Sequence, residues 1–103
     1  MGRITRASKN NASNQIVIGD SAIGVGDNTA VIGGASLTLL STPGAIQSAG
    51  KTVAALGTAP EGSIRFATDG RKVGESAGAG TGVPVYYSNG KWRVFSTDAE
   101  VAS

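Results

Sequence analysis

Ser13-Asn14-Gln15-Ile16-Val17-Ile18-Gly19 and Asp27-Asn28-Thr29-Ala30-Val31-Ile32-Gly33 are two seven-residue blocks set fourteen positions apart. They share Asn, Val, Ile and Gly in register, and a half-step copy, Ser21-Ala22-Ile23-Gly24, lies between them. Repetition of a short strand and a Gly corner predicts a coiled or stacked β structure, in which each turn of chain covers the apolar face of the turn before. Three or more such units make a self-sufficient core. This chain has barely two, so the repeat is expected to complete its core with other copies of itself. Ile16-Val17-Ile18 and Ala30-Val31-Ile32 are unbroken apolar runs. A strand with one wet face alternates, whereas an unbroken run implies burial on both faces. Ile16, Val17, Ile18, Val31 and Ile32 are therefore the expected core and subunit-interface residues.

Composition agrees with a β-rich, turn-rich chain. Of 103 residues, 16 are Gly, 5% are aromatic and 16% are charged, below the usual quarter. With 40% apolar residues and a net charge of +2 the chain is too hydrophobic for a disordered polymer. There is no Cys and no His. Disulfides and nucleophile–histidine catalysis are thereby excluded, and a zinc, copper or haem site is not expected. No apolar run approaches the length of a membrane span, and Met1 to Arg6 lacks the apolar stretch of a secretory signal. The nine basic residues are scattered rather than gathered into a stripe, so nucleic acid is not an expected partner. No cofactor is expected.

Residues 1–12 are polar and basic without periodicity and read as a flexible lead. Asn11-Ala12-Ser13 matches a glycosylation sequon, and chance explains it. Residues 13–40 hold the repeat, with Ser36-Leu37-Thr38-Leu39-Leu40 expected as its last strand. Residues 41–60 form a connector, opened by the turn signal Ser41-Thr42-Pro43-Gly44; a helical turn and an extended strap fit it equally. Residues 61–103 form a C-terminal β module. Ser63-Ile64-Arg65-Phe66-Ala67 alternates as a strand with Ile64 and Phe66 on one face. Val83 to Ser88 and Lys91 to Ser96 flank Asn89-Gly90, a two-residue loop that predicts a type I′ hairpin. Pairing outward from it sets Ser88 opposite Lys91, Tyr87 opposite Trp92, Tyr86 opposite Arg93 and Val85 opposite Val94. Val83, Val85, Tyr87, Trp92 and Val94 then share the core face; Pro84, Tyr86, Arg93 and Phe95 share the other. Pro84 lacks a ladder donor, so its strand is expected at an edge or with that position turned outward.

The repeat resembles the left-handed parallel β-roll of trimeric adhesin heads and the short stacks near the ends of bacteriophage tail fibres and tailspikes; residues 14–19, 21–24 and 28–33 match the pattern. Gly82 to Val94, with its Val-Pro-Val-Tyr, Asn-Gly and Trp-Arg steps, is similar to the C-terminal segments of many phage tail and fibre proteins. The resemblance implies an all-β fold: a short trimeric parallel β-roll or β-helix-like stack, followed by a small module containing a β-hairpin. It also implies a non-enzymatic structural and trimerisation role in the virion, with contact to host surface polysaccharide. A bacterial surface adhesin head is the alternative, and a polysaccharide-cleaving tailspike fragment a weaker one.

Other patterns carry less. Gly44 to Thr52 looks like a phosphate-binding loop, but five residues separate Gly44 from Gly50-Lys51-Thr52 where four are required. Gly78-Ala79-Gly80-Thr81-Gly82 has the wrong spacing for a dinucleotide site and reads as flexibility or close backbone approach. Glu61, Asp69, Glu75 and Asp98 are the acids a glycosidase pair would need; as solvated surface groups they need no chemistry. Asp20, Asp27 and Asn28 read as turn formers before ion ligands. Arg71 and Lys72 on the Gly-rich loop, with Tyr86 and Arg93 on the hairpin's outer face, are the candidate receptor contacts.

Overall fold

In the computed structural model residues 5–103 are described, and the chain divides into two compact units, Met1–Pro43 and Gly44–Ser103. The described residues are all-β, built from short strands and a single 3-10 turn. No helix among them is long and apolar enough to cross a membrane.

The first unit contains β1 (Thr5–Arg6), β2 (Gln15–Ile18), β3 (Ala22–Ile23) and β4 (Thr29–Ile32). Two parallel pairs form: β1 with β3, and β2 with β4. The second sets Ile16 beside Ala30, Val17 beside Val31 and Ile18 beside Ile32, the fourteen-residue offset read from the sequence. A seven-residue rhythm in backbone conformation produces it. Asn14, Ser21 and Asn28 have φ of 54°, 60° and 60°, and Gly19, Gly26 and Gly33 have φ of 127°, 157° and 94°. β2 and β4 are thus each entered through a left-handed Asn and left through a positive-φ glycine, and β3 is entered through left-handed Ser21. Asn and Gly tolerate these angles at least cost. Where the two turns of chain lie one on the other, a side chain at Gly19 would meet the Gly33 Cα at 2.9 Å. The polar corner is stitched in the same register: Asn14 Nδ2 donates to Asn28 Oδ1 (3.0 Å), and Asn28 N donates to the Ser13 carbonyl (3.1 Å).

Two expectations for this unit change. Residues 1–4 of the expected flexible lead lie outside the described residues, but β1 within that lead pairs with β3. Lys9 reaches Asp27 at 2.8 Å, and Gln15 bonds both the backbone N–H and the hydroxyl of Ser8. Ser8 and Lys9 of the lead are corner partners of the repeat. Ser36 to Leu40 forms no strand. Leu37 N donates to the Gly34 carbonyl, a turn that lays the Leu37 side chain over Gly33 and takes the chain off the ladder.

The second unit is an antiparallel sheet in the order β5 (Ile64–Ala67), β6 (Val83–Ser88), β7 (Lys91–Val94). The hairpin has the register read from the sequence, from Ser88 beside Lys91 to Val85 beside Val94. Asn89 and Gly90 have φ of 52° and 79°, both positive as a type I′ turn demands. Leu56, Ala67, Val83, Val85, Trp92 and Val101 form the core, with Val53, Ala59, Tyr87 and Val94 against it. Trp92 is its largest member: its ring meets Tyr87 edge-on at 5.1 Å, lies under the Arg65 guanidinium, and donates its indole N–H to the Gly57 carbonyl at 2.7 Å. That bond satisfies the one polar atom of an otherwise apolar anchor. The stretch 41–60 supplies Leu56, Gly57 and a 3-10 turn at Val53–Ala55, whose Val53 N–H is held by Asp69 at 2.8 Å.

The strand at 64–67 alternates as expected, but Arg65 and Ala67 face inward with Val85 and Val83, leaving Ile64 and Phe66 outside. The inward position at Ala67 is tight, since Gly70, Val83 and Val101 crowd it. Pro84 is in the central strand, not at an edge. Tyr87 bonds toward β5 through both its N–H and its carbonyl. By alternation the missing donor of Pro84 turns the other way, where β7 has already ended at Val94.

The turn generates a test. Gly90→Val forces a β-branched residue to positive φ and is expected to destabilise the hairpin by about 1–2 kcal/mol. Gly90→Asn should lose less than half of that, because Asn accepts the left-handed region. Thermal unfolding followed by Trp92 fluorescence separates the two; equal shifts would mean that the turn tolerates any side chain.

Candidate interaction surfaces

In the first unit, side chains of β2 and β4 divide by alternation. Val17 and Val31 are half-buried on the inner side, with Ala22 fully buried. Ile16 and Ile32 stand on the other side, 56% and 53% exposed, with half-buried Ile18 directly beside Ile32. Ile23 of β3 and Val25 after it are also exposed. Of the expected interface residues, Ile16, Ile18 and Ile32 thus lie on the outward side of the pair, and Val17 and Val31 on its inward side. The interior is thin: Ala22 is the only buried hydrophobic side chain among the described residues of this unit. An apolar row this large left in water is unfavourable by roughly 25 cal/mol per Å2 against a covered one.

In the second unit the outer sheet face gathers Ile64, Phe66, Pro84, Tyr86, Arg93 and Phe95. Ile64 and Phe95 on it are more than half exposed. Tyr86 and Arg93, paired across β6 and β7, converge on one partner that the sequence did not single out for this role. The Tyr86 hydroxyl donates to the Asp98 carboxylate, and Arg93 Nη1 donates to the Asp98 carbonyl at 3.0 Å. Arg93 Nε also donates to the Ser88 carbonyl, and Phe95 meets the Tyr86 ring edge-on at 5.5 Å. Accepting that bond from Tyr86, Asp98 favours the neutral phenol and raises its pKa. The pair is therefore engaged within its own face.

Beside it lies an apolar cleft of about 400 Å3, lined by Lys72, Val73, Val83, Pro84, Val94, Phe95 and Ser96. Lys72 Nζ donates to Thr81 Oγ1 (2.6 Å) and to the Gly82 carbonyl (2.8 Å), closing the Gly-rich loop across its neck. Glu75 completes the lacing by accepting from Lys72 N (2.7 Å), Thr81 N (3.2 Å) and the Thr81 hydroxyl (2.6 Å). These bonds, led by the Thr81 hydroxyl, pull the Glu75 carboxyl down to a pKa of about 2. Arg71 differs: its backbone N–H is held by Ala102, while its Nε is buried without a hydrogen-bond partner. The glycines at 80 and 82 serve close approach within the unit. Gly80 passes over the Asp69 backbone and Gly82 under the Phe66 ring, with Gly82 N donating to the Gly70 carbonyl.

The four acids weighed as a glycosidase pair all have structural partners. Glu61 accepts from Asn89 N at 3.0 Å, Asp69 holds Val53, Glu75 laces the loop and Asp98 holds Tyr86. Asp27 holds Lys9, Ser13 N and Gln15, and the Lys9 contact leads in keeping its carboxyl below the ordinary range. No group of three or more acids placed to hold a metal ion occurs among the described residues.

The loop generates a pH prediction. A carboxyl whose folded pKa lies below its unfolded value lends stability above the unfolded pKa and loses it as pH falls. Glu75 should hold the loop fully above pH 4.5 and release it as the pH drops toward 2. Amide exchange at Thr81 and Lys72 measures this. Glu75→Gln should raise exchange there at neutral pH and flatten the acid dependence; an unchanged profile would mean that the lacing does not hold the loop. Comparisons with protein-family models, curated proteins and solved structures find no match to this chain, so its function is argued from these surfaces.

Proposed function

We propose that the chain is a non-enzymatic structural module of a phage or prophage tail fibre or tailspike, in which three copies wind their repeats about one axis as a short parallel β-roll. The observation that carries this reading is the uncovered apolar surface of the repeat, Ile16 and Ile32 on one strand pair and Ile23 and Val25 at the other. A two-fold dimer matches one patch with itself, whereas a ring uses two different patches on each subunit. Two separate apolar flanks on one small unit favour the ring. The parallel fourteen-residue register supports the roll, since it can stack only by translation along an axis. Within this reading the virion is the site of action. Contact with host polysaccharide would not fall first to Arg93, which Asp98 and Ser88 already engage.

Size-exclusion chromatography with light scattering tests the assembly. Three copies of 10.2 kDa give a mass of about 31 kDa; a stable monomer at micromolar concentration would sink the proposal. Ile16→Asp and Ile32→Asp, each burying an unpaired charge at a cost of several kcal/mol, should yield monomers with native Trp92 fluorescence. Val17→Asp should unfold the repeat itself, because that side chain faces inward.

A further inference from the structure

Five asparagines occur in the chain, and Asn89 alone is followed by glycine. An Asn side-chain amide is attacked by the backbone nitrogen of the next residue. A side chain on that residue hinders the attack, and glycine has none. Asn14 and Asn28 are followed by Gln15 and Thr29, and their amides are bonded to each other. Asn89 is exposed, and nothing lies within 4 Å of the place a Cβ would take on Gly90. The analogous Asp69-Gly70 step is locked: Asp69 Oδ1 accepts from Val53 N, and Gly70 is buried with its N–H given to Ala67.

We propose that Asn89–Gly90 is a site of spontaneous deamidation, and that Glu61 sets its rate. Gly90 N forms a bond to Asn89 Cγ, the Cγ–Nδ2 bond breaks, and the nitrogen leaves as ammonia carrying the Gly90 proton. Water then opens the five-membered succinimide, giving either aspartate or isoaspartate. Ring closure requires Asn89 to leave the left-handed conformation, φ 52°, that the turn imposes. Glu61 opposes that rotation, since its two carboxylate oxygens hold Asn89 N at 3.0 and 3.3 Å and its Oε2 also accepts from the Ser88 hydroxyl. The product works against the same clamp. Aspartate sets a second negative charge beside Glu61, and isoaspartate adds a backbone carbon to a loop with room for two residues. Either change loosens the hairpin tip.

The test is incubation of the full chain at mildly alkaline pH, with tryptic mapping of the peptide Val73 to Lys91 and methyltransferase labelling of isoaspartate. Asn89 should gain the mass of deamidation while Asn14 and Asn28 keep their amides. Glu61→Ala should accelerate the loss roughly fivefold, as expected for removing a charge-assisted bond at an exposed site. Glu61→Gln, which keeps one acceptor, should fall between. Native Trp92 fluorescence in each variant confirms that the sheet is intact. Loss at Asn89 no faster than at Asn14 and Asn28 would overturn the site, and equal rates in the wild type and Glu61→Ala would overturn the control by Glu61.

Discussion

The corner imposed every seventh residue is the constraint on which the first unit depends. In β2 and β4 a left-handed Asn opens the strand and a positive-φ Gly closes it, so neither exceeds four residues. Strands so short hold no sheet alone. They persist because identical corners fall one above another and satisfy each other, Asn14 on Asn28 and Gly19 against Gly33. The same geometry keeps the interior narrow. With room for Ala22 and two half-buried valines, the isoleucines on the far side of each strand have nowhere to go within the chain.

The second unit solves its packing by another route. One large side chain, Trp92, is fixed by its indole N–H to the loop at Gly57 and roofed by Leu56 and Val101 from segments outside the sheet. Polar side chains then fasten each turn: Glu61 the hairpin tip, Asp69 the 3-10 turn, Glu75 the Gly-rich loop and Asp98 the outer face. The loop that sequence reading treats as a mobile candidate for binding is closed by its own lysine. Lys72 spends two of its three donors on Thr81 and Gly82.

What the sequence made legible was whatever rests on local backbone chemistry. The Asn-Gly turn fixed the register of β6 and β7 to the residue, and with it the face shared by Tyr86 and Arg93. The fourteen-residue spacing anticipated the pairing of β2 with β4. Interactions between segments without periodicity were hidden. Leu56 and Val101 sit in stretches with no strand or helix pattern, so nothing marked them as core. Arg65 and Ala67 look less apolar than Ile64 and Phe66, and hydrophobicity alone favours the wrong face of β5. Asp98 belongs to the outer cluster because the chain turns back after Val94, and no spacing rule announces that. The Leu37 to Leu40 run reads as a strand, yet a turn at Gly34 removes it from the ladder.

Both flanks of the three-stranded sheet are occupied. On the β5 side Lys51 exchanges backbone bonds with Phe66 and Thr68. On the β7 side the returning tail does the same, Val94 with Ala99 and Trp92 with Val101. Each edge, the usual template for open-ended strand addition, is thereby capped at one bridge, Lys51 with Ala67 and Arg93 with Glu100. A strand added at either edge would have to displace the bridge that guards it. An edge so guarded resists the unlimited fibre that a bare one invites.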